Sequence, residues 1–425
     1  LKILEFNRIQ EKIYIHEHSS GLKVFVIPKK GYNKIYSTFA TYYGSINNTF
    51  IAPDEEKETK VPDGIAHFLE HKLFEQEDGS VMDKFSRLGA ESNAYTSFTQ
   101  TVYLFSCTDR FEDNFKLLID YVQSPYLTDE NVEKEKGIIA QEINMYNDNA
   151  DWRVFFNLLN ALYVNHPVRI DIAGTVESIA EITKDTLYKC YNTFYHPSNM
   201  VIVTVGDVDP ESVFNMVEHG IKAKSNPGRI RKIFPDEPQH HNLKFIEKNL
   251  AVAMPQFNMG IKDNSYVKGY DMLKRKAALE IILSILMGRS SVLYNQLYNE
   301  GLINQSFGSE AILEGSFGYT AWGGQSKDPE RVYEKILAAI NQAHKNGIDK
   351  KSFERIKNAH EGRFIGNLNS PENISHEFIP LYFNGVYFFE LTKVYEELTI
   401  DDAEKVFRDH FSTEPSLSVI WPMKA

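Results

Sequence analysis

Apolar and polar positions alternate in two short runs near the start of the chain, residues 22–28 (LKVFVIP) and 35–43 (IYSTFATYY), and this two-residue period predicts half-buried strands. The period then lengthens. Helical spacing covers residues 63–77 and 80–88, and residues 93–107 (NAYTSFTQTVYLFSC) return to the Thr, Tyr and Phe content of a strand. Helices are predicted over 111–123, 128–146, 152–163 and 183–194. Residues 200–205 predict a buried strand that the turn residues Gly206, Asp207 and Pro210 close.

The second half repeats this order more weakly. A strand is predicted near 251–261, a long helix over 274–287, a break at Gly288-Arg289-Ser290-Ser291 and a helix over 292–299. Strand-like residues 315–323, two late helices and a last strand at 417–421 follow. Between the halves, the segment from Lys222 to Asn242 (KAKSNPGRIRKIFPDEPQHHN) has three prolines, a glycine and no apolar periodicity. It predicts a linker at 223–242 between domains at 1–222 and 243–425. The fold class expected is α+β, two similar α/β sandwich domains.

Composition narrows the function. At 425 residues, 42% hydrophobic and 24% charged, the chain has the make-up of a folded globular protein, which excludes disorder and a coiled-coil rod. A net charge of -12, from 46 basic and 58 acidic residues, is the wrong sign for a phosphate-neutralising surface, so no nucleic-acid partner is expected. Cys107 and Cys190 are too few for a disulfide scaffold or a thiolate zinc site; both read as buried hydrophobes in a reducing compartment. No apolar run reaches the roughly 18 residues of a membrane span, and a cytoplasmic location is expected.

The richest segment is Gly64 to Phe74, GIAHFLEHKLF. On a helix His67 and His71 are four residues apart and share a face, with Glu70 beside them. Two such imidazoles can hold one Zn²⁺ at about 2.0–2.1 Å while the carboxylate stands next to an open coordination position. This H-x-x-E-H order reverses the H-E-x-x-H of zinc peptidases. Chance placement of 13 histidines would produce it about 0.03 times in a chain of this composition. Phe68, Leu69, Leu73 and Phe74 make the helix apolar on several sides, so the polar trio is buried and needs a partner.

A third ligand is sought on the helix at 128–146. Val132, Ile139, Ile143 and Tyr146 form its apolar stripe at about 100° per residue, and Glu133, Lys134, Gln141 and Asn144 face away. Glu135 and Glu142 stand seven residues apart on the edge of the stripe, where a carboxylate is costly unless paired or bound to metal. Weaker signals read structurally: His240-His241 as solvated linker residues and Trp152 as a core residue.

His67-Phe68-Leu69-Glu70-His71, the pair Glu135 and Glu142 in EKEKGIIAQE, and His196-Pro197-Ser198-Asn199-Met200 before a buried strand together resemble the pitrilysin (M16, inverzincin) metallopeptidases. The likeness runs the length of the chain. It is greatest to small bacterial members and to subunits of the mitochondrial-processing-peptidase type. The resemblance implies two related α+β domains of the metallohydrolase type, forming half of a clamshell around a peptide substrate. It implies one zinc ion per chain held by His67, His71 and Glu142, Glu70 as general base, and Glu135 as the acid that supports the site. A family N-A-x-T strand pairs with the substrate backbone, and Asn93, Ala94 and Tyr95 of Asn93-Ala94-Tyr95-Thr96 match it.

One departure matters. Active members carry an Arg and a Tyr in a second-half segment resembling L-R-E-K-x-G-L-A-Y, which stabilise the oxyanion. Here Leu297-Tyr298-Asn299-Glu300-Gly301-Leu302-Ile303-Asn304 is one residue shorter, with Tyr298 in the place of the Arg and Asn304 in that of the Tyr. The expectation is a zinc endopeptidase subunit completed by a homologous zinc-less subunit in a heterodimer, or by a second copy in a homodimer. The alternative is a non-catalytic assembly or peptide-binding subunit.

Overall fold

The least exposed runs of the chain are strands. Every residue of Thr101–Cys107 and of Met200–Gly206 is buried, so both strands need apolar partners on two faces. They lie inside a seven-stranded sheet of β1 (Lys2–Phe6), β2 (Glu11–Glu17), β3 (Lys23–Pro28), β4 (Ile35–Thr41), β5 (Glu91–Thr96), β6 (Thr101–Cys107) and β7 (Met200–Gly206). The order is β1-β2-β3-β7-β4-β6-β5. β3 and β7 are parallel and the other neighbours antiparallel. This computed structural model describes residues 1–53, 55–223 and 225–423, so Asp54 and the last two residues of the expected second domain, with Lys224 of the expected linker, lie outside it.

A second sheet contains β8 (Phe245–Leu250), β9 (Gln256–Lys262), β10 (Gly308–Leu313), β11 (Gly318–Gln325) and β12 (Ser416–Pro422), ordered β8-β12-β9-β11-β10. β8 and β12 are parallel and the rest antiparallel. This repeats β3-β7-β4-β6-β5 strand for strand and sense for sense. The halves are therefore copies of one α+β design.

The chain forms two compact units, Leu1–Ile143 with Ile170–Phe234 and Asn367–Phe383, and Asn144–Arg169 with Pro235–Gly366 and Asn384–Ala425. Each linear half supplies most of one unit, and two segments cross over. In the first unit, Val24, Val26, Phe39, Tyr103 and Ile202 share a core with Phe68 and Leu69, Phe115 and Leu118, Ile139 and Leu187 from four helices. The other face is covered by the helix Pro371–Phe383 from the far end of the chain, with Phe378 and Tyr382 rings 4.9 and 4.8 Å from Phe25. In the second unit the helix Ala150–Leu162 from the first half lies on the sheet, and its Ala150 and Val154 pack with Leu250 and Ile420. A sheet buried on both faces requires a second cover, and each half receives it from the other.

Several expectations change at this level. The helix expected over 63–77 is Ile65–Leu73, because Glu75–Gln76 turns back to pair with Gly79–Ser80. Residues 93–107 are the ends of a hairpin, β5 and β6, rather than one strand. β1, β2 and β8 were not expected: β1 and β8 are largely polar and part-exposed, and β2 alternates over only Ile13 and Ile15. Five helices, Pro329–Asn346, Lys350–Asn367, Pro371–Phe383, Leu391–Glu397 and Ile400–His410, follow β11 where two were expected.

The segment between the halves is tied down at both ends. Arg231–Lys232 pairs with Thr49–Ile51 in the first unit. In the second, the Glu237 carboxylate accepts the backbone N–H groups of Val164, Asn165 and His166 at 2.9, 2.7 and 2.8 Å, and Lys262 Nζ at 2.7 Å. His241 is not solvated: its Nε2 accepts the Lys262 N–H at 3.2 Å and its Nδ1 lies 2.9 Å from Ser416 Oγ. Trp152 is half-buried, stacked 4.5 Å from Tyr146, rather than a core residue. Cys107 and Cys190 are both buried free thiols.

Asp263, next along β9, anchors the second unit electrostatically. It accepts Arg275 Nε at 2.9 Å and lies 3.0 Å from His410 Nδ1. Burial pushes its carboxyl up, but His410 and Arg275 outweigh burial and hold it below the usual range. Such a group contributes stability that is present above its unfolded pKa, about 3.9, and is lost as pH falls through the folded one. We expect Asp263→Asn to flatten the acid-side fall in stability below about pH 4. Urea midpoints across a pH series read this, and an unchanged slope contradicts it.

Candidate metal centre

The histidine helix, Ile65–Leu73, starts where only glycine fits. Gly64 has φ of +89°, and a Cβ there would fall 2.3 Å from the carbonyl oxygen of Ala173. Ser178 Oγ closes the same contact by donating to the Asp63 carbonyl at 2.8 Å. Eight of the helix's residues are buried, among them His67, Glu70 and Lys72.

Across from it runs the glutamate helix, Asp129–Asp148, with Val132, Ile139 and Ile143 buried and Glu133, Lys134, Gln141 and Asn144 exposed. This packing turns Glu135 and Glu142 toward the histidines. His67 Nε2 lies 3.7 Å from Glu142 Oε1, and His71 Nε2 lies 3.5 Å from Glu142 Oε2. His71 Nδ1 is 3.1 Å from Glu135 Oε1. One ligand atom each from His67, His71 and Glu142 all fall within 4.8 Å of one another.

Two imidazole nitrogens and one carboxylate oxygen are the donor set of a catalytic zinc site with its fourth position open. The protein chemistry fits such an ion. The buried Nδ1 of His67 has no hydrogen-bond partner, and 3.7 Å to Glu142 is too long for its Nε2 to bond there. A cation between that Nε2 and the Glu142 carboxylate bridges the 3.7 Å gap, leaving Nδ1 to carry the ring's N–H. Burial, together with the neighbouring charge of His71, pushes His67 down to about 4, so its ring is neutral and its lone pair available at neutral pH. Burial also pulls on His71, but the Glu135 bond and the charges of Glu70 and Glu142 outweigh it and hold the ring above its ordinary value. Glu135 is held low by His71 and Lys72 against burial.

Glu70 stands on the histidine helix beside these donors. Its Oε2 accepts Thr96 Oγ1 at 2.6 Å, and burial raises its carboxyl more than that bond lowers it. Behind it the hydroxyls of Tyr103 and Tyr195 lie 2.8 Å apart. Thr96 ends β5, the last strand in its sheet, so one backbone edge of β5 pairs with no strand among the described residues. Asn93 is exposed, and its Oδ1 accepts the Ala94 N–H at 2.9 Å. Ala94 packs on the core, and Tyr95 turns to the other face, where its hydroxyl is 3.1 Å from His376 Nδ1.

The structure thus brings together His67, Glu70, His71, Glu135 and Glu142, and sets Asn93, Ala94 and Tyr95 along the neighbouring strand edge. Sequence reasoning missed Thr96 and Lys72. Strand alternation points Thr96 away from Tyr95 toward the histidine helix, a signal already present in the N-A-Y-T run. Lys72 follows His71 on a buried helix, which alone marks it as a paired charge.

Comparison with known proteins agrees with this geometry. The family profile described as Insulinase (Peptidase family M16) matches residues 55–176, which hold the whole donor set, and the one described as Peptidase M16 inactive domain matches residues 181–359. The chain is 43% identical to the zinc protease YmfH of Bacillus subtilis (strain 168) over 97% of both chains. It superposes on the crystal structure of an M16-like peptidase from Alicyclobacillus acidocaldarius with a TM-score of 0.94 at 36% identity, covering 99% of each. All of this chain also matches 46% of pitrilysin with a TM-score of 0.75 at 15% identity, a likeness of fold.

A metal held here stabilises the folded chain by mass action, by about 2.7 kcal/mol at a hundredfold excess over Kd. We expect Zn²⁺ to raise the thermal midpoint of the metal-free chain and to bind one per chain. Glu142→Gln, a change at a part-exposed side chain, should abolish most of that rise while leaving the metal-free midpoint close to wild type. A full zinc-induced rise in Glu142→Gln contradicts the assignment.

Proposed function

The chain belongs to peptidase family M16, and from this we propose that it is the zinc-bearing subunit of an endopeptidase that hydrolyses peptides or unfolded segments inside a closing chamber. The observation that carries the reading is the convergence of His67, His71 and Glu142 within 4.8 Å, with Glu70 one residue from His71. Zinc bound to those three side chains supplies Lewis-acid polarisation of the scissile carbonyl and of the attacking water.

The chain's own residues do the rest. The free edge of β5 takes up an extended peptide as an added strand, which presents its carbonyls in register beside the histidine helix. Asn93, Ala94 and Tyr95 line that edge. Thr96 ends the same strand and holds the Glu70 carboxylate, so substrate strand and general base are set by one element. Glu70, its proton affinity raised by burial, accepts a proton from the attacking water and delivers it to the leaving amine. Glu135 orients His71 through Nδ1.

We further propose that a homologous zinc-less subunit supplies an Arg/Tyr pair that stabilises the oxyanion, a second copy of the chain being the other possibility. Support comes from the segment 297–304. Tyr298, exposed at the end of the helix Val292–Asn299, and Asn304, bonded to Gln325 at 3.0 Å, occupy the places of that pair. The same segment favours the second reading, a non-catalytic assembly or peptide-binding subunit.

Peptide cleavage by the purified chain, with and without a coexpressed homologous subunit, separates the readings. We expect cleavage to require both zinc and the partner. Glu70→Gln should keep one zinc per chain and lose about 10²–10⁴-fold in rate. Cleavage that survives Glu70→Gln unchanged contradicts the mechanism, and a complex that binds peptide without cutting it supports the second reading.

A further inference from the structure

Lys72 has no exposed side-chain surface. A lysine so buried is costly unless its ammonium group meets several oxygens, and here it meets three. Nζ donates to the Asn131 carbonyl at 3.2 Å and to the Glu75 carboxylate, and lies 3.7 Å from Glu135 Oε2. Asn131 and Glu135 belong to the glutamate helix, so this one side chain ties the two ligand-bearing helices together. The other oxygen of Glu135 lies 3.1 Å from His71 Nδ1, while Nε2 of the same ring faces Glu142. A continuous line of contacts runs from Lys72 through Glu135 and the His71 ring to the metal position.

We propose that Lys72 is a positioning residue of the metal centre: its ammonium group, ion-paired rather than hydrogen-bonded to one oxygen of Glu135, holds that carboxylate electrostatically so that the other oxygen keeps the His71 ring with Nε2 toward the ion. This rests on the zinc site of the proposed function. With Lys72 absent, Glu135 loses the cation that fixes its rotamer and His71 loses its orientation. Outer partners of metal ligands typically change metal affinity by about 10–100-fold.

The test is a double-mutant cycle on zinc affinity, measured on the full chain by competition with a chromophoric chelator, for wild type, Lys72→Met, Glu135→Gln and the double variant. Thermal unfolding of each metal-free form is measured alongside. We expect Lys72→Met to weaken zinc about 10–100-fold in the wild-type background and within about threefold in the Glu135→Gln background. Equal losses in both backgrounds, as a helix pin acting on its own would give, overturn the inference. So does a folded Lys72→Met chain that binds zinc like wild type. If Lys72→Met does not fold, Lys72→Gln, which keeps a donor for the Asn131 carbonyl without the charge, enters the same cycle with the same two outcomes. A wild-type chain that takes up no zinc fails the proposed function itself, and the inference with it.

Discussion

The seam between the histidine helix and the glutamate helix concentrates two imidazoles, three carboxylates and one ammonium group where little water reaches. His67, Glu70, Lys72 and Glu135 are each 9% exposed or less. Groups of this kind are stable side by side only if every one has a partner of the right sign and geometry. Lys72 meets Glu75 and Glu135, Glu135 meets His71, and Thr96 meets Glu70. Among the described residues His67 Nδ1 has no hydrogen-bond partner, and the ring points Nε2 toward Glu142 from a distance that suits a shared ion better than a hydrogen bond. The cation proposed here would lie between that Nε2, His71 Nε2 and the Glu142 carboxylate, the atoms that the helices' register brings together.

The fold supplies the rigidity that such a register needs. Five strands of the first sheet repeat the strand order of the second, and both sheets are covered on the second face by a helix from the opposite half of the chain. The duplication also marks where chemistry has been kept and where it has not. In the first half the helix between β4 and β5 carries His67, Glu70 and His71; in the second, the helix Gly269–Met287 between β9 and β10 carries Leu279, Ile281, Ile282 and Leu283, all buried. The same position carries the candidate metal donors in one copy and packing residues in the other.

The grouping of the candidate metal donors was legible because helical spacing is local: four residues between His67 and His71 and seven between Glu135 and Glu142 fix shared faces with no knowledge of the tertiary fold. Duplication was legible from the order of strand and helix periods. The crossed-over helices were not, because nothing in the periodicity of residues 150–162 or 371–383 says which sheet an apolar face will meet. Pro380 inside the latter helix obscures even its helical pattern. How the segment between the halves is held was not legible for a related reason: Glu237 looks like a solvated acid until the three backbone N–H groups of residues 164–166 and Lys262 arrive from elsewhere in the chain. Thr96 lay in plain view within N-A-Y-T, but only the approach of the histidine helix gives its hydroxyl a purpose.

The central claim is that His67, His71 and Glu142 bind one zinc ion together. X-ray absorption at the zinc edge of the loaded chain tests it most directly. The account predicts two imidazole nitrogens at about 2.0–2.1 Å and carboxylate or water oxygens at about 2.0–2.2 Å, with no sulfur scatterer. It also predicts that the imidazole count falls to one in His71→Ala. A shell of oxygens alone, or two imidazoles that persist in His71→Ala, would contradict it.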